Sequence, residues 1–284
     1  MDVSVILSTY NNPDWLEKSV WGYAVQAFRN FELIIADDGS GDETRARIDA
    51  LRSSTGISIV HVWHEDRGFR KTTILNKAIA RSTGDYLVFS DGDCIPRNDF
   101  LTIHVHTARH KHFLSGGYVK LPMQASRAIT VDDIRSGRMF KLSWLKANGL
   151  SRVMKAKKLW MPSFFNRINL MRIRWYGNNS SAWREDILAV NGFNQDMAYK
   201  YEDLEFGQRL KNAGVRPRQI RYAAVCCHLD HPQPYRDPKA FPVHFAMLKR
   251  ARAERTTWIS NGIYATENAH VPIDSTVGVG GVTQ

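Results

Sequence analysis

The feature that most constrains this chain is a rhythm in its first 115 residues, where short apolar runs alternate with stretches of helical spacing. "VSVILST" (Val3–Thr9), "FELIIA" (Phe31–Ala36), "SIVHVWH" (Ser58–His64) and "YLVFS" (Tyr86–Ser90) read as strands. Between them, "DWLEKSVWGYAVQAF" (Asp14–Phe28), "GDETRARIDALRSS" (Gly41–Ser54) and "TTILNKAIARS" (Thr72–Ser82) read as helices. Strand–helix–strand units in series predict a mostly parallel α/β sheet with right-handed crossovers and helices on both faces. Ligands of such sheets bind beyond the carboxyl ends of the strands. Tyr10-Asn11-Asn12, "DDGSGD", "EDRGFRK" and "DGD" follow the four strands in turn, so polar groups collect at one edge.

The "DGD" is the most demanding of these. Asp91 and Asp93 follow an apolar strand with one glycine between them. Two carboxylates about 5 Å apart repel by roughly 3 kcal/mol at an effective dielectric near 20. Either both face water or a cation answers them. No G-x-G-x-x-G or G-x-x-x-x-G-K-[ST] is present, and no glycine-rich phosphate loop follows the first strand. A bound nucleotide would therefore have to be handled by carboxylates and a cation.

The rest of the chain is less regular. Basic, helical pieces are expected after Ala125 as far as Arg174, then a strand or loop and a short helix within "YGNNSSAWREDILAVNGF". "YEDLEFGQRLKNAG" (Tyr201–Gly214) predicts a helix closed by its glycine. "YAAVCCHLDHP" predicts a strand ending in histidine, Lys239–Ile259 a basic amphipathic helix, and residues 265–284 a flexible tail.

The net charge of the 284 residues is +11, and its location matters more than its size. Between Ile134 and Trp183 there is no Asp or Glu, while eleven Lys and Arg run from Arg135 to Arg174 among Trp144, Trp160, Phe164, Phe165 and Trp175. Such a segment suits an anionic membrane surface, at about 1 kcal/mol per basic residue, or a nucleic-acid backbone, or is an ordinary solvated face. No run of about 18 uncharged apolar residues predicts a spanning helix. Three cysteines, two of them the adjacent Cys226 and Cys227, fit a reducing cytoplasm and no disulfide framework.

With "VSVILSTYNNPDWLEKSV", "ELIIADDGSGDET", "SDGD", "YEDLEFGQRL" and His228 in order, the chain resembles family 2 glycosyltransferases of the GT-A fold. The match is strong from Val3 to Asp99 and looser through a galactosyltransferase-like or chondroitin-polymerase-like half. The resemblance implies a Rossmann-like sheet with a basic helical insertion on the acceptor side. Residues 1–115 would bind the nucleotide sugar, 116–235 the acceptor, and 236–264 would form a C-terminal amphipathic helix.

By the same resemblance, Asp93 ligates Mn²⁺ or Mg²⁺, and Asp91 reaches the ribose or the metal's water. Ser8, Tyr10 and Asp38 line the base pocket, with Arg67 and Lys71 near base or diphosphate. Asp203, beside Glu202, is the general base. His228 completes the metal site, with His231 as its competitor, and Trp175, Asn178 and Asn179 lie by the donor and acceptor sugars.

The implied activity is metal-dependent, inverting transfer from a nucleotide-diphosphate sugar, UDP-linked, to a saccharide or lipid-linked saccharide. It would serve cell-surface polysaccharide or lipopolysaccharide synthesis, in the cytoplasm on the inner membrane face. The alternative is a basic module that binds membrane or nucleic acid without catalysis. Carboxylates crowding the sheet edge argue against nucleic acid there.

Overall fold

The four apolar runs form β1 (Val3–Thr9), β2 (Phe31–Asp37), β3 (Ile59–Trp63) and β4 (Tyr86–Asp91). The computed structural model describes residues 1–150, 159, 161, 164–168, 172–232 and 238–267. β1 lies between β2 and β4, parallel to both, with Val5 opposite Leu33 and Val88, and β3 adds parallel outside β2. The crossovers are α1 (Pro13–Ala24), α2 (Asp42–Thr55) and α3 (Lys71–Arg81). Pro13 suits the first turn of α1, where a missing N–H costs nothing. α1 stops at Ala24, short of the expected Phe28, because Gln26 turns inward: its amide donates to the carbonyls of Gly22 and Arg97, and its oxygen accepts from the Leu101 N–H.

Beyond β4 come β5 (Cys94–Pro96), β6 (His112–Ser115), β7 (Gly117–Lys120), β8 (Ser180–Trp183), β9 (Arg216–Gln219) and β10 (Val225–His228). The main sheet runs β3-β2-β1-β4-β8-β6-β9, with β8 antiparallel to both β4 and β6. A second sheet, β5-β10-β7, hangs from the end of β4. Its antiparallel β5–β10 pairing sets His228 opposite Cys94, which brings the late histidine beside Asp93.

Alternation along β1 sends Val3, Val5 and Leu7 to one core face and Ile6 to the other. Burying each such side chain contributes about 1.5–3 kcal/mol, so the two faces of this sheet hold the fold and leave its edge free for charged groups. A third cluster, including Ile95, Val119, Met139, Leu145 and Val225, packs the short helices Met123–Ala128, Val131–Arg135 and Leu142–Ala147 onto the second sheet. Part of the basic segment is thus folded over that sheet, with Trp144 packed against it.

Trp160 and the expected tail beyond Glu267 lie outside the described residues. The expected Lys239–Ile259 helix is shorter, Phe241–Ala253, and Arg255 in the left-handed region (φ 52°) turns the chain after it. Among the described residues no helix is long and apolar enough to cross a membrane.

Candidate active site

A cleft of about 310 Å³ opens at the carboxyl ends of β1 and β4. It gathers Ser8, Tyr10, Asp38, Lys71, Asp91, Asp93, Asn178, Glu202, Asp203, His228 and His231.

Within it the two acids of "DGD" do not face each other. Asp91 ends β4, and its Oδ1 accepts from Ser8 Oγ (2.7 Å) and Lys71 Nζ (2.6 Å). Gly92 donates its N–H to the Ser8 carbonyl (2.7 Å), and a Cβ there would sit 3.0 Å from that same oxygen, so the spacer position is tight. Asp93 then turns to the imidazoles: its Oδ2 is 2.8 Å from His231 Nε2 and 3.7 Å from His228 Nε2. Burial would raise the Asp93 carboxyl, but the His231 hydrogen bond and the two imidazoles outweigh it and hold it below the ordinary carboxylate range. Each acid has its own partner, the Lys71 ammonium for Asp91 and the two imidazoles for Asp93, so the two carboxylates are held apart by separate contacts.

Asp93, Cys94 and His228 present ligand atoms within 4.8 Å of one another. Cys94 is fully buried, and burial raises its thiol well above the usual range, so it remains a protonated thiol and a poor ligand. That leaves carboxylate oxygen and imidazole nitrogen, a donor set that fits a divalent ion such as Mn²⁺. Asp91, expected in the metal set, is not part of this group, because Ser8 and Lys71 hold it on the other side of the glycine.

The "DDGS" turn builds another wall. Gly39 takes φ +99°, and a Cβ on it would meet the Asp66 backbone at 2.6 Å. Asp38 lies buried between His64 Nε2 (2.7 Å) and the Arg70 N–H (2.9 Å), while Asp37 pairs with His61 (2.9 Å). Tyr10 is 47% exposed, leaving its ring open to the cleft, and its hydroxyl donates to Asp66 (2.8 Å).

The opposite wall is the start of helix Glu202–Asn212. Lys200 (φ 74°) and Tyr201 (φ 76°) both adopt the left-handed region just before it. That conformation costs on the order of 1–3 kcal/mol per non-glycine residue, and here it turns the first helical turn toward the cleft. Asp203 Oδ2 accepts the Gly177 N–H at 2.7 Å, while Glu202 Oε2 is buried without a hydrogen-bond partner. Burial, then the neighbouring Asp203 charge, pushes the Glu202 carboxyl up. Burial also raises Asp203, against the pull of Lys71 and the Gly177 N–H. For Lys71, burial is outweighed by Asp91, Asp203 and Glu202, so the ammonium stays charged among three acids.

Three expected residues fall elsewhere. Trp175 is fully buried, edge-on to Phe89 (5.3 Å) and Phe206 (4.8 Å), and is a core residue rather than a sugar contact. Asn179 is buried too, its amide donating to the carbonyls of Gly117 (2.9 Å) and Ala224 (3.0 Å), where it ties the two sheets together. Arg67 does not line the cleft; in its exposed loop it pairs with Glu65 at 2.7 Å, two residues away. Tyr176, Gly177 and Asn178 line the cleft, while Trp175 and Asn179 on either side of them are buried. Phe69, Tyr118, Tyr176 and Tyr199 line the cleft and were not singled out by the sequence. No pattern in the sequence marks them: Tyr118 comes from β7 and Phe69 and Tyr199 from separate loops, and only the fold assembles them.

The profile of glycosyl transferase family 2 matches residues 4–147. The uncharacterized glycosyltransferase YfnE of Bacillus subtilis (strain 168) is 24% identical over 264 residues, which is 82% of this chain and 66% of that protein. The mannosyltransferase PcManGT from Pyrobaculum calidifontis, solved in complex with GDP-Man and Mn²⁺, matches with a TM-score of 0.55 at 21% identity, over 86% of this chain and 60% of that one. S. aureus TarS 1–349 in complex with UDP-GlcNAc gives 0.58 at 16% identity, over 90% and 69%. The two structural likenesses establish a common fold. The chain spans just under two thirds of the Bacillus relative's length.

Proposed function

The chain belongs to glycosyl transferase family 2 and has the GT-A fold, and from that premise we propose that it carries a sugar from a UDP-linked donor to an acceptor hydroxyl with inversion. The observation that carries this reading is the sorting of acids within one cleft: Asp93 sits with His228 and His231, while Asp203 and Glu202 sit with Lys71. One set suits a diphosphate, and the other suits an acceptor proton.

In this reading Tyr10 stacks on the base, Ser8 and Asp38 line its pocket, and Asp91, steadied by Lys71, orients the ribose. Asp93 and His228, with His231, are the residues to hold a divalent ion, Mn²⁺ as in the Pyrobaculum complex or Mg²⁺. Such an ion, when bound, supplies positive charge to the leaving diphosphate. Asp203 takes the acceptor proton; the freed oxygen forms a bond to the anomeric carbon as the bond to the diphosphate oxygen breaks. One in-line displacement inverts that carbon. A raised carboxyl suits the role, because a base works best with a pKa near the working pH. Asn178 and Tyr176 face the sugars.

Residues 1–115 form the donor half, 116–235 the acceptor half and 236–264 a C-terminal helical element. The basic segment supports an acceptor presented at an anionic inner membrane face, in cell-surface polysaccharide synthesis. Incubation with a panel of nucleotide sugars and Mn²⁺, followed by NMR of the product anomer, tests the proposal. UDP release with an inverted anomer is expected, and a retained configuration contradicts it.

Gly177→Ala provides a finer test. Its Cβ would lie 3.0 Å from both Asp203 carboxylate oxygens, so the carboxylate must shift. Misplacing a catalytic group by about 1 Å costs on the order of 10²-fold, and a shift of tenths of an ångström is expected to lower kcat about tenfold. Nucleotide affinity should be unchanged. Steady-state kinetics beside nucleotide titration would show the split.

A further inference from the structure

Behind the helix that carries Glu202 and Asp203 lies a second cavity, of about 190 Å³. Arg172, Arg174, Lys211 and Arg252 line it beside the rings of Tyr201 and Phe245, and none of its described lining residues is Asp or Glu. The helix passes so close to the Trp175 segment that a Cβ on Gly207 would sit 2.6 Å from Trp175 Cβ, which fixes the floor. Lys211 Nζ donates to the Ile173 carbonyl at 2.7 Å, between the two arginines of that segment. Burial, then the charges of Arg172, Arg174 and Arg252, depresses its ammonium below the usual lysine range. The nearby acids are engaged elsewhere, Glu205 with Arg209 (2.8 Å) and Glu254 with Arg250 (3.0 Å).

Four like charges around one cavity repel, and no acid among its described lining residues compensates them. An anion would. Guanidinium groups offer paired N–H donors that match phosphate oxygens, and Tyr201 and Phe245, 5.3 Å apart, offer apolar faces to whatever carries the phosphate.

We propose that this cavity binds a phosphate group of the acceptor, making the acceptor a phosphate-bearing glycan or glycolipid rather than a neutral sugar. Tyr201 and Leu204 line the cavity while Glu202 and Asp203 line the cleft, so phosphate and base lie on different faces of the same helical turn. An acceptor rounding the helix N-terminus spans about one helix diameter, ~10–12 Å. The word acceptor rests on the transferase reading; the phosphate site does not.

Calorimetric titration of glycerol phosphate in EDTA, into the wild type and into the double variant Arg174→Gln/Lys211→Met, tests it, with UDP and Mn²⁺ titrated in parallel. Glycerol phosphate should bind the wild type, bind the double variant at least tenfold more weakly, and weaken with salt. UDP affinity should be unaltered. Arg252→Gln, a change at an exposed side chain, should weaken glycerol phosphate about threefold and covers the case in which the double variant fails to fold.

Sedimentation with phosphatidylglycerol against phosphatidylcholine vesicles locates the phosphate. Binding to the former alone, lost in the variants without glycerol phosphate binding, assigns it to a lipid. If UDP does not bind but glycerol phosphate does, the transferase reading falls and the phosphate site stands. Binding of neither probe, or equal binding by wild type and variants, overturns the proposal.

Discussion

Asp203→Asn is expected to lower turnover by about 10²–10⁴-fold, the usual contribution of a positioned general base, while leaving nucleotide affinity intact. The amide keeps the shape of the carboxylate and can still accept the Gly177 N–H, so the wall of the cleft is preserved. What it loses is the ability to take a proton. The pH profile gives the same residue a second readout. As the proposed base, Asp203 would act only when deprotonated, and burial, the largest influence, raises it to about 6. Wild-type kcat/KM should therefore fall as pH drops through about 6, rather than near the ordinary carboxylate value of about 4. In the variant that limb should vanish from the residual rate. A variant that keeps both the wild-type rate and the wild-type acid limb would remove Asp203 from the chemistry.

Lys71→Met is the second large effect, and it falls on stability as well as function. The side chains of Lys71 and Asp91 are 21% and 23% exposed, so the pair is mostly sheltered. Removing one partner of a fully buried pair costs about 3–5 kcal/mol; the residual exposure here lowers that to about 2–4 kcal/mol. A melting point lower by about 3–7 °C follows for a domain of this size.

The sign with pH is fixed by linkage. Without the ammonium, Asp203 and Glu202 lose the charge that favours their ionised forms, and their folded-state pKa values rise. A folded state with raised carboxyl pKa values binds more protons than the unfolded chain, so its stability falls as pH rises. The deficit should be larger at pH 8 than at pH 5, where protonated acids need no countercharge. Lys71→Arg, which keeps the charge, should recover much of it. Thermal unfolding across that range checks the prediction, and an equal deficit at every pH would contradict the three-acid account of Lys71.

β1, β2 and β4 were legible because strands buried on both faces leave continuous apolar runs, β3 because its β-branched residues stand between two helical stretches, and the polar termini of all four line up on one edge. β6 "HFLS" and β9 "RPRQ" were not, since four residues carry little periodicity and their partners are distant in sequence. The spacing of Asp91 and Asp93 was plain, but their separate partners were not. Lys71 comes from the start of α3 and the imidazoles from the end of β10 and just beyond, and only the second sheet brings those close. Trp175 and Asn179 misled because proximity to the motif does not say which side chains face the cleft: Tyr176 to Asn178 line it, and the residues on either side are buried. Arg67 misled for a simpler reason: Glu65, two residues back, is the nearer partner.

The most direct test is calorimetric titration of UDP, GDP and dTDP into the wild type and Asp93→Ala, each with Mn²⁺ and with EDTA. The account predicts that UDP binds with Mn²⁺, that EDTA weakens it strongly, and that Asp93→Ala binds no better with the metal than without. Failure of every nucleotide to bind the wild type, or metal-dependent UDP binding undiminished in Asp93→Ala, would contradict it.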